Sequence, residues 1–331
     1  MSKILTDEEM QALRAREEAE LAEKEKEKVK VTGYVLQIRY EKLNLQRKIE
    51  NSRIIYNAIV KSFSDKNKKK FPDTLIKIAY CAEIGERTQK MKNRFFGADF
   101  SKPENQELKE NLKAIDMTED QFATLAFCAC GNDMEKFVAK FNEEAENDIR
   151  AEAGLEPLAK KSSAVDYDKI RDEGILKAKA AVSEYKNGDP KAYARLLGHA
   201  LILSCTGFAR EPSDDVAMQW SLYTSEMLSL FYAKPHLAKH CGLSKKHFEL
   251  AEKVADMGRT INGGLKAAEK LSSVEFGSDG EIKNPEKIEK ISGMVLKFNA
   301  IVRNREVLVD EIYNLNKEQK TVNESKECPL I

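Results

Sequence analysis

The residues best spaced to bind a metal are His236 and His240, with Cys241 beside them. Histidines four positions apart share one face of a helix, and zinc accepts imidazole nitrogen and thiolate sulfur as ligands. Pro235 and Gly242 bracket these residues, which indicates a helix end or a loop, and no second pair of ligands accompanies them. We therefore predict no metal site and no cofactor, with His236, His240 and Cys241 as weak metal candidates.

Two other pairs contain residue types that catalysis uses. Cys128 and Cys130 form a CxC pair without a nearby histidine, whereas redox and metal motifs use CxxC or wider spacing. On one helix His199 and Cys205 would point in different directions, and His199 lies in an apolar run, which predicts a core residue. Glycine-rich phosphate loops, nucleophile elbows and zinc-protease motifs are absent from the sequence. We therefore predict a protein that is not an enzyme.

The whole chain has equal numbers of positive and negative residues, but the two signs are concentrated in different segments. Lys plus Arg and Asp plus Glu both number 55. Between Lys61 and Arg94 there are ten Lys or Arg against four acids, whereas between Lys102 and Glu156 there are fourteen acids against six Lys or Arg. Aromatic residues interleave with the basic block, which suits a single-stranded nucleic acid because its phosphates pair with cations and its bases stack on rings. The candidate contacts are Lys68, Lys69, Lys70, Lys90, Lys92 and Arg94.

The charge blocks are also consistent with a solvated surface or with self-assembly. Runs of charge are common on solvated loops and helix faces, where they bind nothing. Alternatively, the basic block of one copy attracts the acidic block of another, which would give head-to-tail assembly. The sequence leaves both interpretations open beside nucleic-acid binding.

Helices are the elements that must position these residues. In two segments, 31–63 and 288–312, apolar residues recur at alternating steps of four and three. Such spacing places an apolar seam on one side of a helix. Polar Lys42 and Ser52 interrupt the first seam and restrict its register or its partner. A second apolar line widens the face of the C-terminal segment and favours a bundle over a two-stranded coiled coil.

Between these segments, capping residues and Gly/Pro breaks predict a series of further helices, while sustained alternation typical of strands is absent from the sequence. The predicted fold is an all-α, multi-helix bundle or array with long heptad-patterned helices near both termini. The predicted organisation has four parts: a charged N-terminal helix leading into the heptad helix (1–64), a helical subdomain (65–160), a helical domain ending in the second heptad helix (165–320), and a polar tail (321–331).

Composition sets the remaining expectations. The chain has 331 residues, of which 42% are hydrophobic, enough to build a core, and its apolar runs are too short to span a bilayer. The six scattered cysteines suggest free thiols in a reducing compartment, so we expect a cytoplasmic protein without membrane contact. We predict a structural or protein-interaction protein that assembles with itself or with a partner protein. The alternative is a helical, nucleoprotein-like protein that binds nucleic acid through the basic block 61–94.

Overall fold

The structure is a computed structural model that describes residues 72–152, 156–158, 165–272, 293, 296–298 and 300–325. None of these residues is in a strand, so the all-α, multi-helix prediction is confirmed for this part of the chain. The chain divides into two compact units, residues 1–76 with 266–295 and residues 77–265 with 296–331. The second unit contains nearly all the described residues. The N-terminal heptad segment 31–63 lies outside them.

The α-helices of the described ranges are α1 (Pro72–Phe96), α2 (Gln106–Ala114), α3 (Glu119–Cys128), α4 (Met134–Glu152), α5 (Tyr167–Lys186), α6 (Lys191–Arg210), α7 (Asp214–Ala233), α8 (Lys245–Ser272) and α9 (Arg305–Ser325). A 3₁₀ turn, Pro235–Lys239, connects α7 to the segment before α8. None of these helices combines the length and apolar composition that crossing a bilayer requires.

Local capping chemistry explains several helix starts. Thr118 accepts a hydrogen bond from the Gln121 backbone N–H, and the Gln121 side chain accepts one from the Thr118 N–H, which completes a capping box before α3. The Asp166 carboxylate caps α5 by accepting from the Lys169 N–H. These groups satisfy backbone donors that a helix leaves unpaired, so the sequence alone predicts where both helices begin.

The sequence predicts that helices end near Gly207 and Gly258, but in the structure both glycines lie within helices. Residues 207–212 are predicted to form a loop, yet α6 continues to Arg210; a Cβ on Gly207 would lie 2.4 Å from the Trp220 ring. Helices are predicted to meet near Gly258, but α8 runs through it, and a Cβ there would lie 2.7 Å from the Ser221 carbonyl oxygen. Both glycines allow close packing against α7, and this benefit outweighs the roughly 1 kcal/mol helix-propensity cost of glycine.

Helices from both the 65–160 and the 165–320 segments contribute to one large hydrophobic core, and Ile84, Ala145 and Ile149 form a smaller buried cluster. An aromatic group at the centre of the large core includes Phe96, Phe127 and Phe137, with Phe96 in edge contact with both other rings. The predicted stripe on α7, which includes Trp220, Tyr223 and Met227, is buried in this core. None of the five cysteines in the described ranges forms a disulfide, and four of them are buried.

The C-terminal segment packs on the core through part of its predicted apolar pattern. Phe298, Leu308 and Ile312 are buried. A turn at Asn304 precedes α9. Long heptad-patterned helices near the two termini are not confirmed, because their remaining parts fall outside the described residues.

Arg305, a polar residue within the C-terminal apolar pattern, is held where the end of α6 meets the start of α7. Its guanidinium pairs with Asp214 at 2.8 Å and donates to the carbonyl oxygens of Phe208 and Glu211. The guanidinium also lies 5.5 Å from the centre of the Phe208 ring. A polar residue is suited to this seam position because the surface it meets offers acceptors.

Candidate functional site

The most unusual group inside the molecule is the side chain of Lys92, which is fully buried. It extends from α1 toward α3 and α7. Its Nζ donates to Thr124 Oγ1 at 2.7 Å and pairs with Glu226 Oε2 at 2.5 Å. Glu226 is about one quarter exposed, at 27%, so the ion pair spans from the interior to the edge of the bundle. A buried ammonium requires such partners because its desolvation costs several kcal/mol.

Buried polar side chains surround this ion pair. Thr88 and Gln219 lie near the hydroxyl of Tyr223, but neither side chain has the geometry to form a hydrogen bond with it. Burial raises the pKa of Tyr223, and the charge of Glu226 raises it further. Tyr223 is therefore a neutral hydroxyl at physiological pH and cannot act as a base.

The neighbouring thiols are also held in their protonated form. Cys128 lies 3.0 Å from the Met227 sulfur, and burial raises its pKa well above the ordinary value, although Lys92 acts in the opposite direction. Burial raises the pKa of Cys130 to about 12. Because the thiolate is the nucleophilic form, neither cysteine has an activated sulfur. The arrangement can position and hold a charge, and it supplies no activated nucleophile from Lys92, Tyr223 or these two thiols.

A shallow cleft of about 270 Å³ lies where the end of α1 meets the start of α3. Arg94 lines it together with Asp99, Glu119 and Asp120. Asn93 Nδ2 donates to Asp120 at 3.0 Å, and hydrogen bonds from Ser101 lower the pKa of Asp99. Three carboxyl groups beside one guanidinium do not favour a phosphate in this cleft.

The structure describes three of the six predicted nucleic-acid residues: Lys90, Lys92 and Arg94. Lys68, Lys69 and Lys70 lie outside the described residues. Lys90 is exposed and pairs with Glu86 at 2.5 Å, while Arg94 is exposed at the cleft. The prediction that Lys92 contacts phosphate is corrected, because its ammonium is buried and already bonded to Thr124 and Glu226. One signal in the sequence could have revealed this: Lys92 shares one helical face with Gly85, Thr88 and Phe96, which are all uncharged.

The weak metal candidates have other partners. His236 Nε2 lies 2.8 Å from the Tyr185 hydroxyl, and Cys241 Sγ lies 3.2 Å from the Ala238 carbonyl oxygen. Burial raises the pKa of the Cys241 thiol. Within the described ranges, which include His240, no three His, Cys, Asp or Glu side chains are arranged to hold a metal ion.

The prediction that His199 is a core residue is wrong, because its side chain is exposed on α6. Helical spacing places it beside Arg195 on the outer side, while Leu197 and Leu201 face the core. Sequence reasoning thus missed an exposed basic surface around His199. The signal was available: α6 contains no acidic residue.

Comparison with known proteins identified no relative: no family model, no curated protein and no solved structure matches this chain. Functional inference therefore rests on the geometry of the chain itself.

Proposed function

We propose that this protein is a non-enzymatic structural or protein-interaction protein that assembles with itself or with a partner protein through helical surfaces. The supporting observation is an apolar surface on the C-terminal segment, made by Leu296 and Val307, which are 63% and 59% exposed. Leu296 and Val307 lie on either side of the turn at Asn304. Leu296 is two positions from buried Phe298, and Val307 is next to buried Leu308. One side of the segment packs on the bundle, and the other presents apolar side chains to solvent.

An exposed apolar line on a helix is typical of a surface that binds another helix. Single exposed apolar residues are normal, whereas neighbouring ones on one face mark interaction sites. Tyr313, 48% exposed, adds an aromatic side chain to the flank of this segment. A partner helix that places its own apolar seam here would bury these side chains by helix-in-groove packing.

Multi-angle light scattering of the purified chain at micromolar concentration tests this proposal. We expect wild-type protein to form an oligomer or to co-purify with a partner protein. The double variant Leu296→Lys/Val307→Lys should lose that association, because it places charges in the interface. Leu176→Lys is the matched control, since Leu176 is 69% exposed on α5, away from the C-terminal segment. A wild-type protein that is monomeric and free of partners would contradict the proposal.

Nucleic-acid binding through the basic block 61–94 is the alternative proposal, with less support. Among its described candidates, only Arg94 is both exposed and without an ion-pair partner. The ratio of absorbance at 260 and 280 nm in the same preparation tests it. A ratio that indicates bound RNA, lost in a Lys68→Glu/Lys69→Glu/Lys70→Glu variant, would favour this alternative.

The expected cytoplasmic location is part of the same proposal. It is supported by the cysteines of the described ranges, none of which forms a disulfide, as expected in a reducing compartment. Fluorescence microscopy of a tagged chain tests it.

A further inference from the structure

Two segments of the chain carry bases without acids. Residues 190–210 and 233–248 contain no Asp or Glu, and together they contain all four histidines of the protein. The chain as a whole has one acid for each Lys or Arg, so an acid-free pair of segments is a marked local excess of positive charge.

The structure packs these two segments against each other. A Cβ on Gly198 of α6 would lie 2.7 Å from the Cys241 carbonyl oxygen, so the absence of a side chain on Gly198 permits this close approach. At the other end of the 3₁₀ turn, the His236 ring lies parallel to Tyr185, which in turn stacks on buried Tyr193 of α6. The turn therefore runs along α6.

This packing forms an exposed surface that we name the basic face. Lys191 and Arg195 precede Gly198 by about two turns and one turn on the same side of α6. The basic face consists of Lys191, Arg195, His199, Lys239 and His240, all of which are exposed. These side chains come from two segments that are distant in sequence, so the charge block is not visible as a run along the chain.

The Lys and Arg side chains of the basic face, Lys191, Arg195 and Lys239, have no acidic partner within the described part of the molecule. His199 adds little charge at neutral pH, because burial lowers the pKa of its ring. Ion pairs occur at its margins, where Lys245 pairs with Glu249 at 3.0 Å and Arg210 pairs with Glu135 at 3.3 Å. Asp189 accepts a hydrogen bond from the Lys191 backbone N–H, but no ion pair involves the Lys191 ammonium. Unpaired cations on one surface raise the local potential and attract anionic partners.

The same chain carries a complementary surface on the second half of α4. Residues 141–152 contain five acids and a single Arg. Ala145 and Ile149 of this stretch are buried with Ile84 of α1, which leaves Glu144 and Asp148 at least half exposed. Each carboxylate has one cation at 3.8 Å, Lys140 for Glu144 and Arg87 for Asp148, and keeps exposed surface for a partner. In the described ranges, no ion pair joins this acidic half of α4 to the basic face. One molecule therefore presents both charges, and neither neutralises the other.

We propose that the basic face of one copy docks on the acidic half of α4 of a second copy, in a head-to-tail arrangement. This inference rests on the proposed function, because it names a second copy as the partner and assigns it a surface. The charge complementarity within a neutral chain supports a protein partner, since the acidic half of α4 would repel a nucleic acid. Each added copy leaves one basic and one acidic surface free, so the assembly closes into a ring or extends as a filament.

Charge-reversal variants test this arrangement by analytical ultracentrifugation of nuclease-treated protein at low and high salt. Arg195→Glu/Lys239→Glu reverses the basic face, and Glu143→Lys/Glu144→Lys reverses the acidic half of α4. We expect each variant alone to self-associate at least about tenfold more weakly than wild type, because like charges then face each other. An equimolar mixture of the two should form complexes again. A chain with all four changes should regain self-association, since its two charges are exchanged.

Lys109→Glu/Lys113→Glu is the matched control, because both lysines are exposed on α2 and the change in net charge equals that of the basic-face variant. It should associate like wild type. Circular dichroism and thermal melting separate lost docking from lost folding. Association should also weaken with salt, because screening shortens the range of these charges to about 10 Å at 0.1 M.

The possible outcomes separate this inference from the proposed function. If Leu296→Lys/Val307→Lys abolishes assembly while both charge variants assemble normally, the proposed function stands and head-to-tail docking is wrong. If the folded four-change chain stays monomeric, head-to-tail docking is also wrong. A wild-type chain that is monomeric without partners would overturn both proposals. If, in preparations made without nuclease, the basic-face variant loses only co-purifying RNA, the basic face is a nucleic-acid surface instead.

Discussion

Lys92 and Arg195 are both basic residues on long helices, but one lies inside the bundle and the other on its surface. Lys92 is fully buried, with Thr124 and Glu226 within hydrogen-bonding distance. Arg195 is exposed, and no ion pair of the described residues includes it. The comparison shows that the role of a basic side chain in this protein depends on whether the fold supplies hydrogen-bond acceptors for it. Where the fold supplies them the cation holds helices together, and where it does not the cation is available to another molecule.

Breaking the buried ion pair should give the largest effect. Glu226→Ala leaves the Lys92 ammonium without its anion, and we expect a loss of about 3 kcal/mol in the free energy of unfolding. This value is at the lower end of the range for buried pairs because Glu226 is partly exposed. Urea denaturation monitored by circular dichroism measures it.

A surface ion pair provides the matched control for that variant. Glu311→Ala removes the partner of Lys253 at 2.6 Å, where both side chains are about half exposed, and should cost less than about 1 kcal/mol. The double variant Lys92→Met/Glu226→Met should be more stable than Glu226→Ala, because it removes both charges. Equal losses for Glu226→Ala and Glu311→Ala would mean that burial does not distinguish the two regions.

Arg305 is an intermediate case, with a side chain 12% exposed and acceptors at the junction of α6 and α7. Arg305→Ala should cost about 2 kcal/mol, because it leaves the Asp214 carboxylate and two carbonyl oxygens with fewer donors. Thermal melting measures the loss. Arg259→Ala is the control, since exposed Arg259 pairs only with Asp256 of its own helix. A loss as small as that of the control would contradict the view that Arg305 anchors α9.

Gly198 tests whether the basic face depends on close packing. Gly198→Ala places a Cβ 2.7 Å from the Cys241 carbonyl oxygen, and the resulting strain should exceed the gain of roughly 1 kcal/mol in helix propensity. We expect a net loss of about 1 kcal/mol in chemical denaturation. The control is Gly293→Ala, where a Cβ meets no atom within 4 Å and stability should be equal or higher. A stabilised Gly198→Ala would show that the 3₁₀ turn moves away without cost.

The features that sequence predicts well are those decided by neighbouring residues. Thr118 and Asp166 cap helices through hydrogen bonds to residues three positions later, so pattern and structure agree there. Gly207 and Gly258 were predicted to break helices because their benefit comes from Trp220 and Ser221, which only the folded chain brings near. Lys92 was predicted to lie outside for the same reason, since its acceptors are distant in sequence.

The candidate surfaces follow the same rule. Lys191 and Lys239 belong to one basic face only because the 3₁₀ turn packs along α6, so neither the 61–94 block nor any other run along the chain predicts it. The histidine pattern that resembled a metal site marks part of this face instead.

His247 should give the smallest effect, and it tests whether a buried base always needs an anion. Its side chain is 7% exposed, and Nδ1 accepts from the Ser244 backbone N–H at 3.2 Å, as in the second half of a capping box before α8. Burial lowers the pKa of His247, while Glu318 acts to raise it. The folded chain therefore holds this ring neutral at pH values where the unfolded chain, with a pKa of about 6.5, already takes up a proton.

The sign of the pH dependence follows from this difference. Stability from His247 is complete above about pH 6.5 and is lost as the pH falls from there through the lowered pKa of the folded state. We expect wild type to lose more stability than His247→Gln between pH 7.5 and 5.5, by less than about 1 kcal/mol, measured by urea denaturation at each pH. His240→Gln, at an exposed position, is the matched control. If wild type and His247→Gln lost equal stability, the folded chain would accept a charged ring beside Ser244. Burial of a basic side chain in this protein would then not be enough to require an anionic partner.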